Sequence, residues 1–76
     1  MEEGSNPFFM QTHSEILQNK GIRPSVQRVR IFKFLMQSKE HPTVEMIFNA
    51  LLPEMPSLSR TTVYNTVELF KEVGLV

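Results

Sequence analysis

Cysteine is absent from the 76 residues. With it go disulfides, thiolate-bound zinc and any cysteine nucleophile. The absence leaves the redox compartment open, because a Cys-free chain suits either side. Glycines number three, and none sits in a Gly-rich loop of the kind that cradles a phosphate. No apolar run approaches the ~20 residues of a membrane-spanning helix. Met1 to Asn6 is acidic and polar and lacks the basic start and apolar stretch of a signal peptide. A cytoplasmic location with no membrane partner is therefore expected. A Ser/His/Asp constellation and a paired-carboxylate motif are missing as well. A chain this short has little room for a catalytic cleft and its supporting shell, so no enzyme is expected.

What is present is globular. Hydrophobic residues make up 41% and charged residues 21% of the chain, unlike a disordered tail. The length allows one domain, burying only about 60% of its unfolded surface. Eight basic and eight acidic side chains cancel, but they are not evenly spread. Residues 21–40 hold Arg23, Arg28, Arg30, Lys33 and Lys39 against the single acid Glu40, while the flanking segments are net acidic. Such a basic stretch suits either a surface facing a polyanion or an ordinary solvated helix face.

Hydrophobic periodicity predicts four helices over residues 11–19, 25–37, 44–52 and 60–73. Thr12, Ser25, Thr43 and Ser59 stand where N-caps belong, and Gly21 and Gly74 stand where C′ glycines belong. Apolar residues surround most of the second helix (Val26, Val29, Ile31, Phe32, Phe34, Leu35, Met36), which predicts a central helix touched on several sides. In the third, Val44, Ile47, Phe48, Leu51 and Leu52 form a one-sided stripe. In the fourth, Val63, Val67, Phe70 and Val73 do so. Phe32, Leu35, Ile47, Leu51, Val63, Val67 and Phe70 are expected among the most buried residues. Residues 1–10 read as a flexible arm in which only Phe8 and Phe9 would pack, and residues 11–76 as the domain. Leu75 and Val76 read as the start of a strand.

The polar side of the fourth helix carries the functional signal. Arg60, Thr61, Thr62, Tyr64 and Asn65 fall in its first two turns. Arg pairs bidentately with guanine and Asn with adenine, while Thr and Tyr reach a thymine methyl or a phosphate. A helix N-terminus also favours phosphate through its free N–H groups. The third and fourth helices, joined across Pro53 to Leu58, have the order of a helix-turn-helix, although the connection is longer than the usual tight turn. The alternative is that these are only the solvent-facing residues of an amphipathic helix.

Three stretches resemble the ferric uptake regulator (Fur) family, closest to its peroxide-sensing branch. Gly21-Ile22-Arg23-Pro24-Ser25-Val26-Gln27-Arg28 is similar to the family's approach to its second helix, with Pro24 before Ser25 where the family usually has Thr-Pro. His41-Pro42-Thr43-Val44-Glu45 is similar to the approach to its third. Thr62-Val63-Tyr64-Asn65-Thr66-Val67, then Leu69-Phe70 and Gly74-Leu75-Val76, resembles the recognition helix and the start of the wing. The resemblance implies a mainly α, winged helix-turn-helix DNA-binding domain of four helices with its wing truncated. The C-terminal dimerisation and metal domain would be absent from this chain.

The same resemblance implies part of a metal-dependent transcriptional repressor of iron uptake or peroxide stress. Its partner would be double-stranded DNA, an A/T-rich inverted repeat bound by a homodimer of the full-length protein. Arg23, Arg28, Ser59, Arg60, Thr61, Thr62, Tyr64 and Asn65 are the expected DNA-binding residues. Tyr64 would pack on a base or reach a phosphate, and Arg23 would enter the minor groove. Arg28 would bond phosphate or tie the second helix to the Pro53–Leu58 loop. His41 would be one ligand of iron, manganese or zinc in a full-length protein, with no cofactor held by this chain alone. The competing reading is a winged-helix protein-interaction module without DNA binding.

Overall fold

Every helix among the described residues begins at a hydroxyl. The computed structural model describes residues 12–76, and in it α1 (His13–Asn19), α2 (Val26–Gln37), α3 (Val44–Leu51) and α4 (Arg60–Glu72) follow one another. Thr12, Ser25, Thr43 and Ser59 each accept a hydrogen bond from the backbone N–H three residues on. Each thereby satisfies one of the donors a helix start leaves free. At α1 the Glu15 carboxylate also accepts from the Thr12 N–H at 3.1 Å, closing a capping box.

α1 and α4 end alike. Gly21 and Gly74 adopt φ of 77° and 79°, a left-handed conformation that side-chain-bearing residues resist. The following Ile22 and Leu75 amides donate to the Leu17 and Phe70 carbonyls, each at 2.9 Å. This is the Schellman closure, and it places an apolar residue back against the helix it leaves. Leu75, expected to open a strand, instead completes this cap, and no strand occurs among the described residues. The arm expected over residues 1–10, with Phe8 and Phe9, lies outside them.

α2 packs against all three other helices, and α3 packs closely on α4. The core comprises Leu17, Ile22, Ile31, Phe32, Ile47, Phe48, Leu51, Met55, Leu58, Val63 and Phe70. At its centre the Phe32 ring meets His13 edge-on at 5.6 Å and Phe70 at 5.5 Å, a favoured aromatic geometry. α2 is therefore central as expected, but not apolar-covered all round. Val26 is 73% exposed and Met36 50%; Val26 opens the helix and Met36 lies in its last turn. Leu35 and Val67 are half-buried at the margin of the core rather than within it. Leu35 faces a shallow cavity beside His41 and Val76.

The link between α3 and α4 is long but not loose. The Met55 amide donates to the Leu51 carbonyl at 3.0 Å and the Leu58 amide to the Met55 carbonyl at 2.9 Å. Met55 and Leu58 are both buried, so two apolar anchors hold the Pro53–Leu58 connection. Arg30 forms an ion pair with Glu54, and the Gln27 amide donates to the Ser57 hydroxyl at 3.5 Å. The tie from α2 to this loop thus runs through Gln27 and Arg30. Arg28, expected as a candidate for that tie, donates instead to the Arg23 carbonyl at 2.9 Å. Among the described residues no helix is long and apolar enough to cross a membrane.

Phe32→Ala should lower the unfolding free energy by about 3–5 kcal/mol, the usual cost of deleting a buried aromatic ring. Val26→Ala, at an exposed site, should change it by less than about 0.5 kcal/mol. Urea titration followed by circular dichroism distinguishes the two.

Candidate nucleic-acid interface

The burial of α4 decides what it shows to solvent. Val63, Thr66 and Phe70 face the core. At 3.6 residues per turn, this sends Thr61, Tyr64, Asn65 and Glu68 toward the other side. Thr61 and Asn65 are exposed and Tyr64 is 54% exposed, a large aromatic left in water on a polar face. Thr62 is half-buried between the two sides.

Beside this face lies a cleft of about 660 Å³ between α4 and the start of α2. Arg23, Pro24, Ser25, Gln27 and Arg28 form one wall and Thr62, Asn65 and Thr66 the other, and among the described residues no acid lines it. Residues that lie some 40 positions apart in sequence thus converge. Pro24 holds the preceding Arg23 extended. The Ser25 cap starts α2 at once, and the Arg28 guanidinium clips onto the Arg23 carbonyl. The result is two guanidinium groups opposite an amide and two hydroxyls, a donor-rich concavity suited to an anionic backbone.

The expected site residues do not all gather there. Arg23, Arg28, Thr62 and Asn65 line the cleft, and Thr61 and Tyr64 stand on the adjoining exposed face. Ser59 is engaged as a cap, accepting from the Thr62 amide at 3.0 Å and donating to the Thr62 hydroxyl at 2.9 Å. Arg60 turns toward α3. Its Nε and Nη2 donate to the two carboxylate oxygens of Glu45 at 2.7 and 2.8 Å, and its guanidinium lies 4.4 Å above the Phe48 ring. The Arg60 bonds hold the Glu45 carboxyl below its ordinary value of 4.5, and Asn49 adds to the effect. The same bonds raise the Arg60 guanidinium further. His41 is exposed in the loop after α2 and does not line the cleft.

Gln27 and Ser25 belong to the cleft without having been singled out for it. Gln27 lies in the first turn of α2 and Ser25 is its N-cap, directly after the connector that carries Arg23, a proximity that follows once the cap is placed. The Glu45–Arg60 pair joins two helices across fifteen residues, and no local pattern marks it.

The fold, with helices α3 and α4 in helix-turn-helix order, is that of a family with a defined sequence pattern. The pattern of the Ferric uptake regulator family matches residues 19–76, and the chain belongs to that family. Its DNA-binding domain is a winged helix. The chain is 45% identical over 60 residues to the peroxide-responsive repressor PerR of Staphylococcus saprophyticus. To proteins of the same name from Staphylococcus aureus strains Mu50 and USA300 it is 42% and 40% identical. Each alignment covers 79% of this chain and 40% of the relative, so the chain spans about two-fifths of the length of these relatives.

Because Arg60 depresses the Glu45 carboxyl, the pair is complete above the ordinary carboxylate range and is lost as pH falls through the lowered Glu45 value. An NMR titration of the Glu45 side chain should give a midpoint below 4.5. In Arg60→Gln the midpoint should return toward that value.

Proposed function

We propose that this chain is the sequence-specific DNA-binding domain of a transcriptional repressor, with α4 in the major groove. The observation that carries the reading is the cleft that sets Arg23 and Arg28 against Asn65 and Thr62, with no acid among its described lining residues, beside the exposed Tyr64. It supports a division of labour. Arg23 and Arg28 hold phosphates, Asn65 and Tyr64 meet base edges, and Thr61 and Thr62 contact the backbone beside them. Arg23, on the extended connector, is placed to follow the backbone into a neighbouring minor groove, where narrow A·T-rich stretches attract a cation. The names of the relatives support a role in the response to peroxide, and their greater length supports a larger regulator. An A/T-rich inverted repeat read by a homodimer belongs to the same proposal, since half-site symmetry mirrors protein symmetry.

Metal control is expected from the resemblance, but the described residues do not build a site for it. No three His, Asp or Glu side chains among them stand together. His41 alone offers one nitrogen, where a divalent ion takes several donors.

Tyr64→Ala and Asn65→Ala should each weaken binding to the operator by about 1–3 kcal/mol while leaving duplexes of unrelated sequence bound as before. Arg23→Ala should weaken binding to all duplexes and reduce the slope of log affinity against log salt by about one. Fluorescence anisotropy across a salt series reads both. Operator affinity unchanged by Tyr64→Ala, in folded protein, would remove the major-groove assignment. A salt-insensitive complex with a protein partner would favour the interaction-module reading.

A further inference from the structure

The two flanks of the α4 N-terminus differ in charge. On the cleft flank stand Arg23 and Arg28, with no acid in the lining among the described residues. On the other flank the single cation, Arg60, is held by both oxygens of Glu45 and rests on the buried Phe48. A guanidinium held edge-to-edge by a carboxylate has two charge-assisted bonds and a preferred orientation. Stacking on the aromatic ring restricts it further. Yet the pair is open to water: the side chains of Arg60 and Glu45 are 61% and 53% exposed. The pair is therefore too exposed to matter much for stability, and its consequence lies in what it does to the surface charge. Without Glu45, Arg60 would be a long, free cation on the first turn of the helix that faces DNA.

Resting on the DNA-binding reading above, we propose that Glu45 is a positioning residue that restrains sequence-independent DNA binding by withdrawing Arg60 from the phosphates. Affinity for any duplex grows with each phosphate a free Lys or Arg neutralises, whatever the sequence. An additional mobile Arg at this place would grip duplexes in many registers. A regulator must find few sites among very many competitors, so general affinity works against it. Glu45 lies on α3, away from the base-reading face, and acts only through Arg60. The phosphate grip is thereby confined to the Arg23 and Arg28 flank.

The test uses a mixed-sequence duplex of about two helical turns and needs no operator. Glu45→Gln is expected to bind it about fivefold more tightly near physiological salt, with the slope of log affinity against log salt steeper by about 0.9, the worth of one further phosphate contact. In an Arg60→Gln background the same substitution should yield well under half of that gain, as a double-mutant cycle for an effect carried by Arg60 requires. Thermal unfolding should show all variants folded, since both side chains are exposed. An unchanged slope in Glu45→Gln, or weaker binding, overturns the proposal. An equal gain in both backgrounds also overturns it, by showing plain repulsion between Glu45 and phosphate. If wild type binds the duplex and Glu45→Gln matches it, this proposal alone falls. If neither protein binds duplex at any salt, the DNA-binding reading falls with it.

Discussion

The edge-to-face contact between Phe32 and Phe70 is the constraint on which the rest of this small domain depends. Phe32 is 2% exposed and Phe70 is fully buried, and their ring centres lie 5.5 Å apart. A chain of this length has one thin core, so two large rings at its middle determine how α4 can lie on α2. Rotating α4 by one residue would turn it through about 100°. That would drive Tyr64 or Asn65 inward and lift Phe70 toward water. The exposed face of α4 is thus a by-product of where its buried face must go. His13, whose ring also meets Phe32 edge-on, brings α1 into the same arrangement.

Around that centre the polar contacts set boundaries rather than stability. Four hydroxyl caps decide where helices start, and two left-handed glycines decide where α1 and α4 stop. The ion pairs Arg30–Glu54, Arg60–Glu45 and Lys71–Glu68 are all at the surface, where water and salt screen them. Their value is directional. Arg30 and Gln27 pin the connection ahead of α4 to α2, while Arg60 spans from α4 to α3. The loop between α3 and α4 is held from within by Met55 and Leu58 and from without by these two polar ties, which is how a connection longer than a tight turn still delivers α4 at a defined angle.

Local chemistry was the part of the fold most legible from the residues alone. The four caps and both stop glycines stand where expected, because a hydroxyl at a helix start and a left-handed glycine at its end act within three or four residues. Helix ends shifted by no more than two residues, and Phe32, Ile47, Leu51, Val63 and Phe70 are buried as their periodicity implied. What sequence reasoning missed depends on tertiary placement. Leu35 and Val67 lie at the core margin because periodicity gives a face and not the depth of cover above it. Met55 and Leu58 are buried although the first lies between Pro53 and Pro56 and the second just beyond them, in a segment without periodicity. The strand expected at Leu75 gave way to the glycine-directed cap, whose bond to Phe70 is local and satisfied within the helix end. Arg60 shared the polar face with Tyr64 in sequence, and only the packing of α3 beside α4 reveals that its partner is Glu45.

That last difference changes how the balanced charge of the chain should be understood. Eight bases and eight acids cancel in sum, and the basic run from Arg23 to Lys39 could have been a solvated helix face. In the folded chain it is divided by use. Arg30 is drawn to Glu54, whereas Arg23 and Arg28 are left at the mouth of α2, one bonded to the backbone of the other. On α4, Arg60 and Lys71 are both paired with glutamates. The cleft between α2 and α4 is where arginine side chains meet a wall of Thr62, Asn65 and Thr66, and that wall belongs to the helix carrying Tyr64. A neutral chain can present a surface for a polyanion when its acids occupy particular bases and spare others. Here the bases that are spared are those that the Ser25 cap and the packing of Phe32 on Phe70 place together.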